Sequence, residues 1–152
     1  MTNDHYIELG ANITESCYLM YKMQASGLSP EMVQVPSFEP VKGKEFYLQR
    51  PEVVESIFVL YRITKDPKYR QWGMEIAQAI EKNSKVATGG YSSLGDISDP
   101  NNLMARDKQE SFFIAETLKY LYLLFCKDDY LSLDDWVFNT EAHPLPIIKN
   151  GF

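Results

Sequence analysis

At 152 residues, 45% of them hydrophobic and with 10 Tyr, 8 Phe and 2 Trp, the chain can fill the core of one ordinary domain, which excludes disorder as its default state. Its 21 Asp and Glu outnumber 15 Lys and Arg, leaving a net charge of −6, and no basic cluster tracks a face as a nucleic-acid binder requires. The longest apolar run, Tyr120 to Cys126, is far short of the roughly 20 residues of a membrane span, and no charged-then-apolar signal opens the chain.

Residues from about Tyr6 to Met23 read as a helix whose inward positions are Leu9, Ile13, Cys17, Leu19 and Met20, closed by Ala25-Ser26-Gly27. The stretch from Leu28 to Lys44 carries Pro30, Pro36 and Pro40 without helical periodicity, so it is a long ordered loop, and such loops inside compact domains tend to be functional. Pro51 suits a helix's first position, and the helix it opens runs to about Ile63. Asp66 then caps a further helix with Pro67 at its first position, so the two form a helical hairpin. The second of these buries Tyr69, Trp72, Gly73, Ile76, Ala77 and Ile80 and fades at Lys82-Asn83-Ser84.

Gly89-Gly90-Tyr91 marks a short hairpin or turn, and Asp96 to Met104 is irregular polar chain. Asp107 and Glu110 have capping-box spacing for a helix that continues through Phe125 and is apolar almost all round, so other helices should enclose it. Trp136 to Pro144 reads as a strand leading into a turn. The two cysteines, Cys17 and Cys126, are too few for a disulfide framework, and the one sequon is Asn12-Ile13-Thr14.

The chemistry gathers where acids stand among aromatics. Glu52 and Glu55 lie three residues apart on one helix face, flanked by Val53, Val54, Ile57, Phe58, Leu60 and Tyr61, which suggests a pair aimed into a cavity. The dipole at a helix start holds one carboxylate ionised while a close like charge raises the other's pKa, an asymmetry suited to acid/base work. An exposed first-turn glutamate that merely stabilises its helix would look the same. Glu116, one turn after Phe112, and Glu141, beside Thr140, repeat the theme, and rings beside carboxylates and Arg50 are what a sugar site needs.

Three stretches carry a resemblance to a known family: Tyr47-Leu48-Gln49-Arg50-Pro51-Glu52-Val53-Val54-Glu55-Ser56, Glu110 to Phe125, and Val137-Phe138-Asn139-Thr140-Glu141-Ala142-His143-Pro144. With Cys17-Tyr18 and Gly27-Leu28-Ser29-Pro30-Glu31 they resemble glycoside hydrolase family 47, the class I α-1,2-mannosidases, over nearly the whole chain. The resemblance implies an all-α fold, residues 1–152 being the C-terminal portion of an (αα)7 barrel with a short β-hairpin plugging its axis. It also implies a calcium ion at the base of the sugar pocket, calcium accepting six to eight oxygens including waters and vicinal hydroxyls.

By that resemblance Thr140 binds the metal, Glu52 is the base that deprotonates an attacking water with inversion, and Glu55, Glu116 and Glu141 hold the metal's waters and sugar hydroxyls. Phe112 stacks on the terminal mannose and Arg50 selects among branches of a high-mannose N-glycan. The setting implied is the endoplasmic reticulum or Golgi, any membrane anchor lying upstream. A complete domain of the family is about three times as long, so the general acid and the partner of Cys17 are expected upstream of Met1. The chain is accordingly expected to be a truncated product, a splice form or one portion of a larger polypeptide. A mannose-binding homologue of glycoprotein quality control that recognises without cleaving would share most of these residues.

Overall fold

A computed structural model describes residues 3–149. It is mostly helical: α1 (Asn3–Lys22), α2 (Glu52–Thr64), α3 (Pro67–Asn83), a π-helical segment (Phe113–Leu118) running straight into α4 (Lys119–Phe125), and a hairpin of β1 (Trp136–Phe138) and β2 (Pro144–Pro146). The strands pair antiparallel, with Trp136 opposite Pro146 and Phe138 opposite Pro144. Among the described residues no helix is long and apolar enough to cross a membrane.

Local chemistry explains the helix boundaries. Asp66 Oδ1 accepts the Lys68 N–H at 2.9 Å and Pro67 occupies the first turn, so α3 starts where its capping signal lies. Pro51 is the residue before α2, and its carbonyl accepts the Glu55 N–H at 2.9 Å. The capping box expected at Asp107 and Glu110 does not form: Asp107 adopts φ 53°, Glu110 pairs instead with Lys108 at 3.0 Å, and no side chain caps the segment. A capping residue takes extended-region dihedrals, which φ 53° is not, and the helical turns begin only at residue 111.

The core joins α2, α3 and α4. Ile57 and Phe58 of α2, Ile76 of α3, and Leu123 and Leu124 of α4 are fully buried. Phe58, Tyr120 and Phe138 pack ring to ring with centroids 5.6–6.0 Å apart, which anchors the β1 strand on the helices. Leu28 from the long loop is also fully buried, and the loop is stitched by bridges Val33–Pro40 and Tyr47–Leu94.

Gly73 of α3 packs tightly on α4: a Cβ there would stand 2.2 Å from Leu124 Cδ2. Gly73→Ala is therefore expected to lower stability by about 1–2 kcal/mol, the overpacking outweighing alanine's better helix propensity. A urea midpoint that stays put or rises would mean Leu124 swings clear.

Two expectations about helix faces are corrected. Leu9 and Ile13 are half exposed, and the inward stripe of α1 is Thr14, Tyr18 and Tyr21. Tyr18 stacks flat on Trp72 of α3 at 4.4 Å and donates to Glu75, so the tyrosine stripe satisfies both ring and hydroxyl against α3 in a way that the aliphatic stripe cannot. The helix ending in α4 is not enclosed either: Ile114, Tyr122 and Phe125 are exposed, because α2 and α3 are the only other helices that pack on it among the described residues.

Candidate active site

Four of the singled-out carboxylates come together. The Glu116 carboxyl is raised above its ordinary pKa, first by burial and then by the negative charges of Glu141, Glu52 and Glu55, with Lys119 opposing. Three elements therefore deliver like charge to one place: the first turn of α2, the π segment, and the turn between β1 and β2. The π register is the local device on Glu116's side, since an i→i+5 turn re-aims side chains relative to a regular helix and is common at functional sites. Glu55 receives the Tyr120 hydroxyl at 3.1 Å, and burial followed by that carboxylate raises the tyrosine's pKa well above normal.

The β-turn that carries Thr140 is tightly determined. Asn139 Oδ1 accepts the N–H groups of Glu141 at 3.0 Å and His143 at 2.9 Å, closing the turn locally. Ala142 is fully buried at φ 56°, and Lys119 Nζ donates to its carbonyl at 2.8 Å. Thr140 and Glu141 themselves are exposed, presented on a rigid loop. His143 contributes backbone groups to this turn.

The expectation of a cavity around Glu52 and Glu55 is corrected: Glu52 is exposed and Glu55 half-buried. Glu52 edges a cleft of about 100 Å³ with Tyr21, Glu31, Tyr47 and Arg50. Larger concavities of about 330 Å³ between α1 and α3 and about 460 Å³ along α3 and α4 include none of the four glutamates. Size is the wrong guide here, because those grooves lack the coupled acids, whereas the small cleft is edged by Glu52, one of the charges that raise Glu116.

Arg50 does not meet Glu52 directly; its Nε donates to both oxygens of Glu31, at 2.8 and 2.9 Å, and that contact chiefly holds the guanidinium charged. Phe112 is half-buried one turn before Glu116. Reading the residues alone left Glu31, Tyr120, Lys119 and Thr117 without roles. Glu31 stood in a quoted motif and Tyr120 lies one turn past Glu116, but nothing local signals that a loop acid would seat Arg50 or that a hydroxyl would reach α2. Cys17 and Cys126 are free thiols, and burial raises the Cys17 pKa.

A hard cation suits the donor set. Among the described residues no three His, Cys, Asp or Glu side chains converge closely enough to hold a metal by themselves. What the site offers is oxygen only, the hydroxyl and carbonyl of Thr140 beside an excess of negative charge that raises Glu116, and that matches an ion bound partly through water.

Comparison with known proteins shows the family. The family model described as glycosyl hydrolase family 47 matches residues 1–147. The mouse mannosyl-oligosaccharide 1,2-alpha-mannosidase IB is 50% identical over 149 residues, covering 95% of the chain and 23% of that protein. The human endoplasmic reticulum mannosyl-oligosaccharide 1,2-alpha-mannosidase is 50% identical over 151 residues, covering 93% of the chain and 22% of that protein. A solved alpha-1,2-mannosidase from Trichoderma reesei superposes with a TM-score of 0.84 at 32% identity, over 95% of the chain and 35% of that structure. The chain thus spans about a quarter of the length of the curated relatives it matches.

Proposed function

Because the chain belongs to glycosyl hydrolase family 47, we propose that it forms part of an enzyme trimming terminal α-1,2-linked mannose from high-mannose N-glycans in the secretory pathway. The observation that carries this reading is the convergence of Glu52, Glu55 and Glu141 on Glu116 beside the Thr140 turn, a concentration of like charge that a fold keeps at a cost and uses for chemistry.

In this reading Glu52 takes a proton from a water attacking the anomeric carbon, and the sugar inverts. Inverting hydrolases keep base and acid carboxyls about 6.5–9.5 Å apart to admit that water. The four glutamates are assigned to the base and to the metal's waters and sugar hydroxyls, so the acid comes from elsewhere in the family domain, which closes as a helical barrel around the β1–β2 hairpin. Phe112 stacks on the terminal sugar. Arg50, seated by Glu31, contacts a neighbouring branch. Thr140 would hold a calcium ion, which when bound supplies a positive centre for vicinal hydroxyls and offsets the carboxylate repulsion. Tyr120 keeps the Glu55 carboxylate oriented through its 3.1 Å hydrogen bond.

Thr140→Val in a full-length domain keeps the side chain's shape but removes a ligand oxygen. Calcium affinity is expected to fall by at least about tenfold, with a matching loss in the melting temperature gained from calcium, tenfold being worth about 1.4 kcal/mol. Unchanged calcium-dependent melting would sink the assignment.

A further inference from the structure

The proposed reaction needs Glu52 and Glu116 at a fixed separation, yet they stand on different elements with no side-chain hydrogen bond shown between them. The link runs through the backbone before α2. Gln49, the residue ahead of Arg50-Pro51-Glu52, is fully buried and sits at φ 62°, a left-handed conformation that a non-glycine residue holds only when its surroundings impose it. Two buried hydrogen bonds impose it. Thr117 Oγ1 donates to the Gln49 carbonyl at 2.7 Å, and Gln49 Nε2 donates to Ser84 Oγ at 3.0 Å, Ser84 donating onward to the Ser92 carbonyl. Thr117 follows Glu116 directly in the π segment and is itself buried.

We propose that Thr117 is a positioning residue, its hydroxyl clamping the Gln49 corner to the π turn so that the base Glu52 and the sugar-facing Glu116 keep their mutual geometry. The inference rests on the mannosidase reading for its consequence in catalysis, but the clamp itself is a feature of this chain. The wider π turn is what allows successive residues to serve two ends of the site, Glu116 reaching the acid cluster and Thr117 the backbone beneath it. Gln49 Oε1 has no partner, so the side chain is held from its amide nitrogen alone. Gln49→Leu therefore removes the Ser84 anchor, and an orphaned acceptor with it, at little expense to folding.

Thr117→Val keeps volume and β-branching while deleting the donor. In a full-length family 47 domain with these residues, kcat on an α-1,2-mannose disaccharide is expected to fall about 10- to 100-fold with KM within about twofold, and Thr117→Ser should recover most of it. In residues 1–152, carboxyl-selective NMR should show the Glu116 titration moving down by the part that Glu52 contributes as Glu52 drifts away, the larger effects of burial and Glu141 remaining. A folded Thr117→Val chain with unchanged kcat and unchanged Glu116 titration overturns the proposal, as does a kcat loss without that titration shift, which is what a merely structural hydroxyl would give. Should Thr117→Val fail to fold, Thr117→Ala decides, since it deletes the same donor without setting a methyl against the Gln49 carbonyl: a loss in kcat with KM held and a downward Glu116 shift upholds the clamp, and no change in either removes it. An inactive wild-type domain would defeat the mannosidase reading alone, since the titration still reports on the clamp.

Discussion

Glu52→Gln is expected to lower kcat on an α-1,2-linked mannose disaccharide by about 10²–10⁴-fold while sugar binding survives. Glutamine fills the same space at the start of α2 but cannot take the water's proton. Glu52 is exposed and is not part of the buried core, so the change should leave the fold intact. One physical side effect gives an independent readout. Glu52 is among the charges that raise Glu116, so removing it should bring the Glu116 pKa down. The sign for stability follows: a carboxyl whose folded pKa is raised favours the fold while protonated and weighs against it once pH passes that pKa. Glu52→Gln should therefore make the chain slightly more stable at neutral pH and change nothing well below the carboxylate range. A loss confined to KM would mean that Glu52 only binds sugar, and Glu55 or Glu141 would become the base to test.

The second large effect concerns Arg62, which no reading of the sequence singled out. Its side chain is buried at the end of α2, with the guanidinium 5.0 Å from the Phe58 ring centre. It donates to the carbonyls of Asp128 at 2.6 Å, Leu123 at 3.1 Å and Tyr130 at 3.1 Å, gathering the C-terminal end of α4 and the turn after it. The last carbonyls of a helix have no partners of their own and form its negative end, so a buried cation is well placed there. Arg70 repeats the pattern from α3, donating to Leu124 and Cys126 carbonyls at 2.8 and 3.0 Å. Arg62→Ala should cost about 3 kcal/mol, from carbonyls left unpaired and lost packing on Phe58, or a melting temperature lower by about 6–12 °C in a chain of this size. Arg62→Lys, which keeps the charge but not the planar fork, should recover only part of this. A melting temperature unchanged in Arg62→Ala would mean that water satisfies those carbonyls and that α4 closes without the arginine.

Both residues show how far sequence carries. Glu52 is legible because its signals are local: proline marks the helix start, and the spacing to Glu55 fixes a shared face. The same holds for the cap at Asp66, the Gly89-Gly90 turn and the strand at Trp136. Periodicity, proline and glycine act over a few residues, so they can be read off the chain in order. Arg62 lies in an apolar helix as any surface cation might, and its partners lie on α4 and beyond.

Sequence by itself determined the helix count, most boundaries, the family motifs and the identities of the acids, since these depend on residue type and short spacing. Tertiary structure alone decided which stripe of α1 faces inward, because Leu9-Ile13 and Thr14-Tyr18-Tyr21 are both helical stripes and only Trp72 and Glu75 of α3 choose between them. It decided that Glu31 seats Arg50, that Tyr120 holds Glu55 and that Thr117 reaches Gln49. It also decided that Glu52, Glu55 and Glu141, from two other elements, lie near enough for their charge to raise the Glu116 carboxyl. Each of these is a contact between residues distant in the chain, where the energy depends on a geometry that exists only after the helices have packed.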